Sequence, residues 1–210
     1  MHIFYFIVKK TSIYTILYIY LAIQNAFSDD SYLLSKRLKL IHSFYAGLTQ
    51  KIISSSGDLV QESTGEIWIK KPNLFKSHIF SPYENISVSD GKTLWLYDST
   101  TNQVIACWIN EIIVDTPLYL IMNDSQNNWK NFTIKNINDT FYIFSKKQSS
   151  NFKKITIIIT KQGILKELNI LSNINYQTNY TFNIKKTNLY SNFKFKFRIP
   201  KGATLDDQRK

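Results

Sequence analysis

Residues that carry chemistry are scarce in this chain. A single cysteine, Cys107, stands among 210 residues, so no internal disulfide forms. It lies far from any leader cleavage site, which excludes it as the lipidated first residue of a lipoprotein. Within the apolar run 104–109 it reads as a small buried hydrophobe. There are three histidines, His2, His42 and His78, and none has a second histidine or a cysteine at metal-ligand spacing. No G-x-S-x-G elbow, P-loop or G-x-G-x-x-G occurs. Asp90-Gly91-Lys92 lacks the frame of a phosphate loop and reads as a turn between strands. Asp206-Asp207 has the look of a carboxylate pair but sits in a polar tail, where solvated charge is the expectation. N-x-[ST] matches such as Asn131-Phe132-Thr133 are expected by chance in a chain with 19 Asn. Catalysis, a metal site and a bound cofactor are therefore not expected. Nor is a membrane-spanning helix, since beyond Asp29 no apolar run approaches ~20 residues.

What is present is positive charge, aliphatic bulk and aromatic rings. The formal charge of +11 becomes +9 without Lys9 and Lys10. It is scattered rather than clustered, which argues against a nucleic-acid partner. The 30 Ile and 19 Asn, with many Lys, Tyr and Phe, all have A/T-rich codons, so composition alone accounts for much of the basic balance. The first residues resemble a secretory signal. Lys9 and Lys10 precede an apolar stretch from Ile13 to Ile23, and Ala26-Phe27-Ser28 offers small residues for cleavage. Residues 1–28 are expected to leave as a signal peptide, the alternative being an uncleaved anchor. Residues 29–210 then have the length of one domain.

Periodicity predicts one helix over 30–41, with Leu34, Leu38 and Ile41 on one side and Lys36, Arg37 and Lys39 largely on the other. From Ser43 the period becomes two. Strands are predicted over 44–53, 59–70, 75–80, 85–89, 93–97, 103–109, 131–136, 140–145, 153–160, 164–172, 177–186 and 193–199, joined by turns such as Ser56-Gly57-Asp58 and Lys161-Gln162-Gly163. In the last of these, Phe193, Phe195, Phe197 and Ile199 alternate with Lys194, Lys196 and Arg198. Leu168 and Ile170 are placed on the apolar face of their strand. Between strands, Thr116-Pro117 marks a helix start followed by Leu118, Leu120, Ile121 and Met122. This piece is too short to stand alone and must lie on an apolar surface. The result is mainly β (α+β): one curved antiparallel sheet with a greasy face and few helices to cover it. Periodicity leaves two architectures open, a two-sheet sandwich and a helix-lidded half-barrel.

Ordered peptide signatures point to the second. They are Ile67-Trp68-Ile69-Lys70-Lys71-Pro72-Asn73-Leu74-Phe75, then Ser89-Asp90-Gly91-Lys92-Thr93-Leu94-Trp95-Leu96-Tyr97-Asp98, Asp115-Thr116-Pro117, Trp129, and Asp206-Asp207-Gln208-Arg209. The Phe44-x-Ala46-x-x-x-Gln50 spacing precedes them. In this order they resemble the LolA family of carriers of outer-membrane lipoproteins, over essentially all of 29–210. The resemblance implies an incomplete antiparallel β-barrel (a half-barrel) with short helices forming a lid over a hydrophobic cavity. It implies a monomer of the periplasm that takes acylated lipoproteins from the ABC transporter LolCDE, gives them to the acceptor LolB, and needs no cofactor.

At the position of Lys71 the family usually has arginine tying barrel to lid, so Lys71 is the expected latch. The competing reading is a lysine that snorkels to solvent. Phe75 matches a phenylalanine of cargo reception, with ordinary core packing as its alternative. Ile67, Ile69, Leu118, Leu120, Ile121, Met122, Leu168 and Ile170 complete the expected acyl-chain surface. Ser77 stands where the family often has tryptophan, near the expected cavity mouth. A related half-barrel that senses periplasmic lipids or lipoproteins is the alternative function. LolB itself is excluded by the missing cysteine after the leader, and an outer-membrane barrel by the polar C-terminal residues.

Overall fold

The computed structural model describes residues 30–109, 121–122, 129–146, 152–188 and 191–209. The proposed leader, the Thr116-Pro117 helix start, Leu118 and Leu120 lie outside these. Helix α1 (Asp30–Lys39) precedes twelve strands: β1 (Ser43–Ile53), β2 (Leu59–Lys70), β3 (Leu74–Ser81), β4 (Asn85–Asp90), β5 (Thr93–Asp98), β6 (Gln103–Trp108), β7 (Phe132–Ile137), β8 (Thr140–Ser145), β9 (Phe152–Ile159), β10 (Leu165–Ser172), β11 (Gln177–Thr187) and β12 (Thr204–Asp207). They form one sheet in the order β12-β6-β5-β4-β3-β2-β1-β11-β10-β9-β8-β7, whose end strands β12 and β7 do not pair. All contacts are antiparallel except β12 on β6.

The sheet is strongly curved. β5 and β10 are six strand spacings apart, about 29 Å if flat at ~4.8 Å each. Yet Leu94 and Leu96 of β5 share one cavity with Leu168 and Ile170 of β10. An open sheet rolled this far is an incomplete barrel, which removes the sandwich alternative. Alternation selects its inner face: Phe44, Ala46 and Leu48 point inward, with Ile67 and Ile69 beside them, into a core that reaches Phe141 and Ile143 of β8. Gly65 permits the closest strand approach. A Cβ there would stand 2.2 Å from the carbonyl oxygen of His78, where the β2–β3 register shifts.

Helix α1 lies across one end of the half-barrel. Leu34 and Leu38 are fully buried, and its last turn packs on the β9–β10 turn, where a Cβ on Gly163 would meet that of Leu40 at 2.5 Å. Contrary to the sequence expectation, Arg37 faces inward with them and is 4% exposed. Its Nη1 donates to Asp139 Oδ1 (2.7 Å) and to the carbonyl of Ile159 (2.6 Å), and its guanidinium lies 5.1 Å from the Phe141 ring centre. These partners compensate its desolvation.

Two further regions depart from the expected pattern. Residues 193–199 do not form a strand. A 3-10 turn at Phe193–Phe195 opens an extended strap over the outer face, where Phe195 is buried and Phe197 stacks on Trp95 (5.6 Å, 22°). Ile199 is exposed. The C-terminal residues are not a free polar tail, because Thr204–Asp207 adds to β6 and Asp207 pairs with Arg209. In β10 a bulge between Leu165 and Glu167 turns both Leu165 and Leu168 inward and leaves Ile164 exposed. Among the described residues no helix is long and apolar enough to cross a membrane.

Candidate functional site

The inner face encloses a cavity of about 530 Å³. Strand register orders its wall in rows. Phe75 pairs with Ile69, Ile67 with Ser77, and Ser77 with Ser87 and then Leu96. The next row contains Phe182, Leu48, Gly65 and Ile79, and beyond it come Leu168, Tyr180, Gln50 and Ser63. Side chains in each row alternate with residues of the outer face, so the β period itself builds the wall. The rows nearest α1 are mostly aliphatic and aromatic, broken by the small hydroxyls of Ser77 and Ser87. Towards the opposite end, where the hairpin loops at 54–58 and 173–176 lie, polar groups enter.

Of the expected acyl-chain residues, Phe75, Ile67, Leu168 and Ile170 line this cavity. Ile69 is fully buried in the core behind it, paired with Phe44 and Phe75, and does not reach the wall. Ile121 and Met122 are buried in the same core. Leu118 and Leu120 fall outside the described residues. Ser77 lines the interior in the row of Ile67 rather than the mouth. Sequence reading missed Leu94, Leu96, Tyr180 and Phe182. The alternation in Leu94-Trp95-Leu96 was a usable signal for the first two.

Lys71 does not snorkel to solvent. Its Nζ donates to the carbonyl of Leu38 at 2.8 Å, in the last turn of α1, and its backbone N–H donates to the carbonyl of His42 at 2.9 Å. The last carbonyls of a helix have no partner within it and carry partial negative charge, so an ammonium group suits that place. Lys71 thus ties the end of β2 to α1, and Arg37 ties α1 to β8 and β9.

Positive charge gathers outside. Tyr45 and Trp68 stack on the outer face at 4.9 Å, with Lys194 and Lys76 over Trp68 (5.1 and 5.9 Å) and Lys185 over Tyr45 (5.3 Å). Burial, and secondarily the charge of Lys194, lowers the pKa of Lys76. The Tyr45 hydroxyl donates to the Glu66 carboxylate, which holds that carboxyl below its ordinary range. Cys107 is buried, its Sγ 3.5 Å from the carbonyl of Leu94. Among the described residues no group of three metal-ligating side chains exists.

Comparison with known proteins finds clear relatives of this chain. The family model described as outer membrane lipoprotein carrier protein LolA matches residues 39–198. An outer-membrane lipoprotein carrier protein of Wigglesworthia glossinidia brevipalpis is 63% identical over 205 residues, 98% of this chain and 100% of the relative. One from Yersinia enterocolitica is 38% identical over 185 residues, 88% of this chain and 91% of the relative. Among solved structures, an uncharacterized conserved protein from Thermus thermophilus has a TM-score of 0.55 at 13% identity, covering 86% of this chain and all of its own, and shares the fold.

Proposed function

The chain belongs to the LolA family of outer-membrane lipoprotein carriers, and from that membership we propose that it works in the periplasm, taking acylated lipoproteins from the transporter LolCDE and handing them to LolB. Residues 1–28 act as its export signal. It carries its cargo without altering it chemically.

The observation that carries this reading is the cavity: a concave apolar wall with Phe75, Ile67, Leu168 and Ile170 on it, in a sheet that does not close. Acyl carbons resist entering water by about 0.8 kcal/mol per CH₂, so even one chain of roughly sixteen carbons stays in a membrane unless another apolar surface receives it. A wall of aliphatic and aromatic side chains is such a surface. An open sheet can widen where a closed barrel cannot, because β7 and β12 share no hydrogen bonds that must break. Binding must also be reversible. A carrier as tight as a membrane would never release its load, so transfer runs from an ATP-driven donor to a tighter acceptor. Lys71 and Phe75 serve as latch and reception residue. The cation of Lys71 holds the end of β2 on α1, and Phe75 lies directly beside that junction.

The test is release. Purified protein is added to spheroplasts that synthesise labelled outer-membrane lipoproteins and hold a working transporter. Soluble lipoprotein bound to the added protein is the expected result. Retention of all label in the membrane, with folded protein present, would contradict the proposal.

A further inference from the structure

The cavity wall changes chemistry along its length, and the boundary supports an inference that rests on the carrier reading. One register row runs from Leu168 of β10 through Tyr180 of β11 and Gln50 of β1 to Ser63 of β2. Its three polar members are adjacent. Gln50 Nε2 donates to the Tyr180 hydroxyl at 3.4 Å, and Ser63 Oγ, on a residue 2% exposed, accepts from Gln61 Nε2 at 2.9 Å. Burial raises the Tyr180 pKa, so the phenol keeps its proton at neutral pH and remains a donor. Deeper in the cavity the lining is Phe182, Leu48 and Ile79, then Ile67 and Leu96 with only the two small hydroxyls of Ser77 and Ser87 between them, then Phe75 and Leu94.

This collar contains only neutral groups. No lysine, arginine or histidine lines the cavity among the described residues. Lys76, Lys185 and Lys194 lie on the outer face instead. Among the described residues, a head group held in the collar therefore meets hydroxyls and carboxamides but no counter-ion. An ester or amide carbonyl is satisfied by such donors. A carboxylate placed beside the apolar wall would lose water and gain no charge partner.

We propose that the row Tyr180, Gln50 and Ser63 selects acyl chains joined through an ester or amide over the same chains ending in a free carboxylate, with the linkage at the collar and the chain against Phe182, Ile67 and Phe75. The cavity then admits acylated protein while discriminating against free fatty acids. The linkage at the collar also directs the protein part of the cargo out through the end opposite α1.

Displacement of an environment-sensitive apolar dye from the purified protein tests this, using dodecanoate and a dodecanoyl dipeptide amide at about pH 8, where a carboxylic acid is fully ionised. The neutral amide should bind at least about tenfold more tightly, a difference of ~1.4 kcal/mol. Gln50→Leu combined with Tyr180→Phe should remove most of that preference. Gln50→Lys, which supplies the missing cation on a partly exposed strand position, should reverse it and keeps the test sound if the double variant does not fold. Equal affinity for the two ligands in the unsubstituted protein, or no change in preference with Gln50→Lys, would overturn the collar while leaving the carrier reading intact. Failure of both ligands to displace the dye from folded protein would overturn the two together.

Discussion

Lys71 and Arg37 hold the same helix from two sides, and their substitution should separate binding from folding. Lys71→Leu removes a charged donor from the Leu38 carbonyl at the end of α1. Because water can replace a donor there, the expected loss of stability is about 1 kcal/mol. Cargo transfer should nevertheless slow, because β2 is no longer tied to α1. Lys71→Arg, which keeps charge and reach, should restore transfer. Wild-type transfer rates in Lys71→Leu would remove the latch role. Arg37→Leu is expected to cost more, about 2–3 kcal/mol in urea unfolding, since it takes charged donors from the Ile159 carbonyl, the Asn138 carbonyl and Asp139 in a buried place. Sequence reading put Arg37 on the wet side of α1 because it counted arginine as polar. Its spacing from Leu34 and Leu38 was the overlooked sign. Lys71 was legible through the motif Lys71-Pro72-Asn73-Leu74-Phe75. Its partner was not, since nothing in a sequence says which backbone carbonyl a lysine will meet.

The strands were the readable elements, and the strap was not. Eleven alternating segments were placed within a residue or two of their observed bounds, because a half-buried strand writes its two faces into the sequence. Phe193–Ile199 alternates equally well but adds to no sheet edge. It runs over the outer face, where Val88, Val104 and Ala106 are buried. Alternation reports which side chains are covered and not whether backbone partners exist. β12 was missed for the converse reason: it is four residues long, mostly polar, and owes its pairing to β6. Phe195→Ala should destabilise the protein by about 3–4 kcal/mol in thermal or urea unfolding, as expected for a deleted buried ring. A change below about 1 kcal/mol would mean that the strap is dispensable. The C-terminal pair gives a pH test. Hydrogen bonds from Arg209, with its charge, hold the Asp207 carboxyl down at about 2, against 3.8 normally. A depressed carboxyl pKa contributes stability above its unfolded value and loses it as pH falls through the folded one. Attachment of β12 should therefore be insensitive above about pH 4 and weaken between about pH 4 and 2. The signal is fluorescence of Trp95 and Trp108, over which Arg209 lies at 4.9 and 5.9 Å. Asp207→Asn should abolish that transition and leave the tail equally labile at all pH values.

At the scale of the whole molecule the function lies in curvature. Leu48, Phe75, Leu94, Leu168 and Phe182 come from five strands spread over most of the chain, and only the rolled sheet makes them one wall. Periodicity predicted a greasy face but left open what covers it. The ordered motifs resolved that question, because they match a family and not merely a pattern. The polar collar stayed hidden because Gln50, Ser63 and Tyr180 read as ordinary polar strand positions until register sets them side by side. If the molecule works as a carrier, cargo acyl chains lie on the inner face. A photoreactive phenylalanine analogue at Phe182, and separately at Trp68, tests it during lipoprotein release. Crosslinks to the acyl part of the cargo are expected from position 182 and none from position 68. Release with crosslinks only from the outer face would contradict that placement.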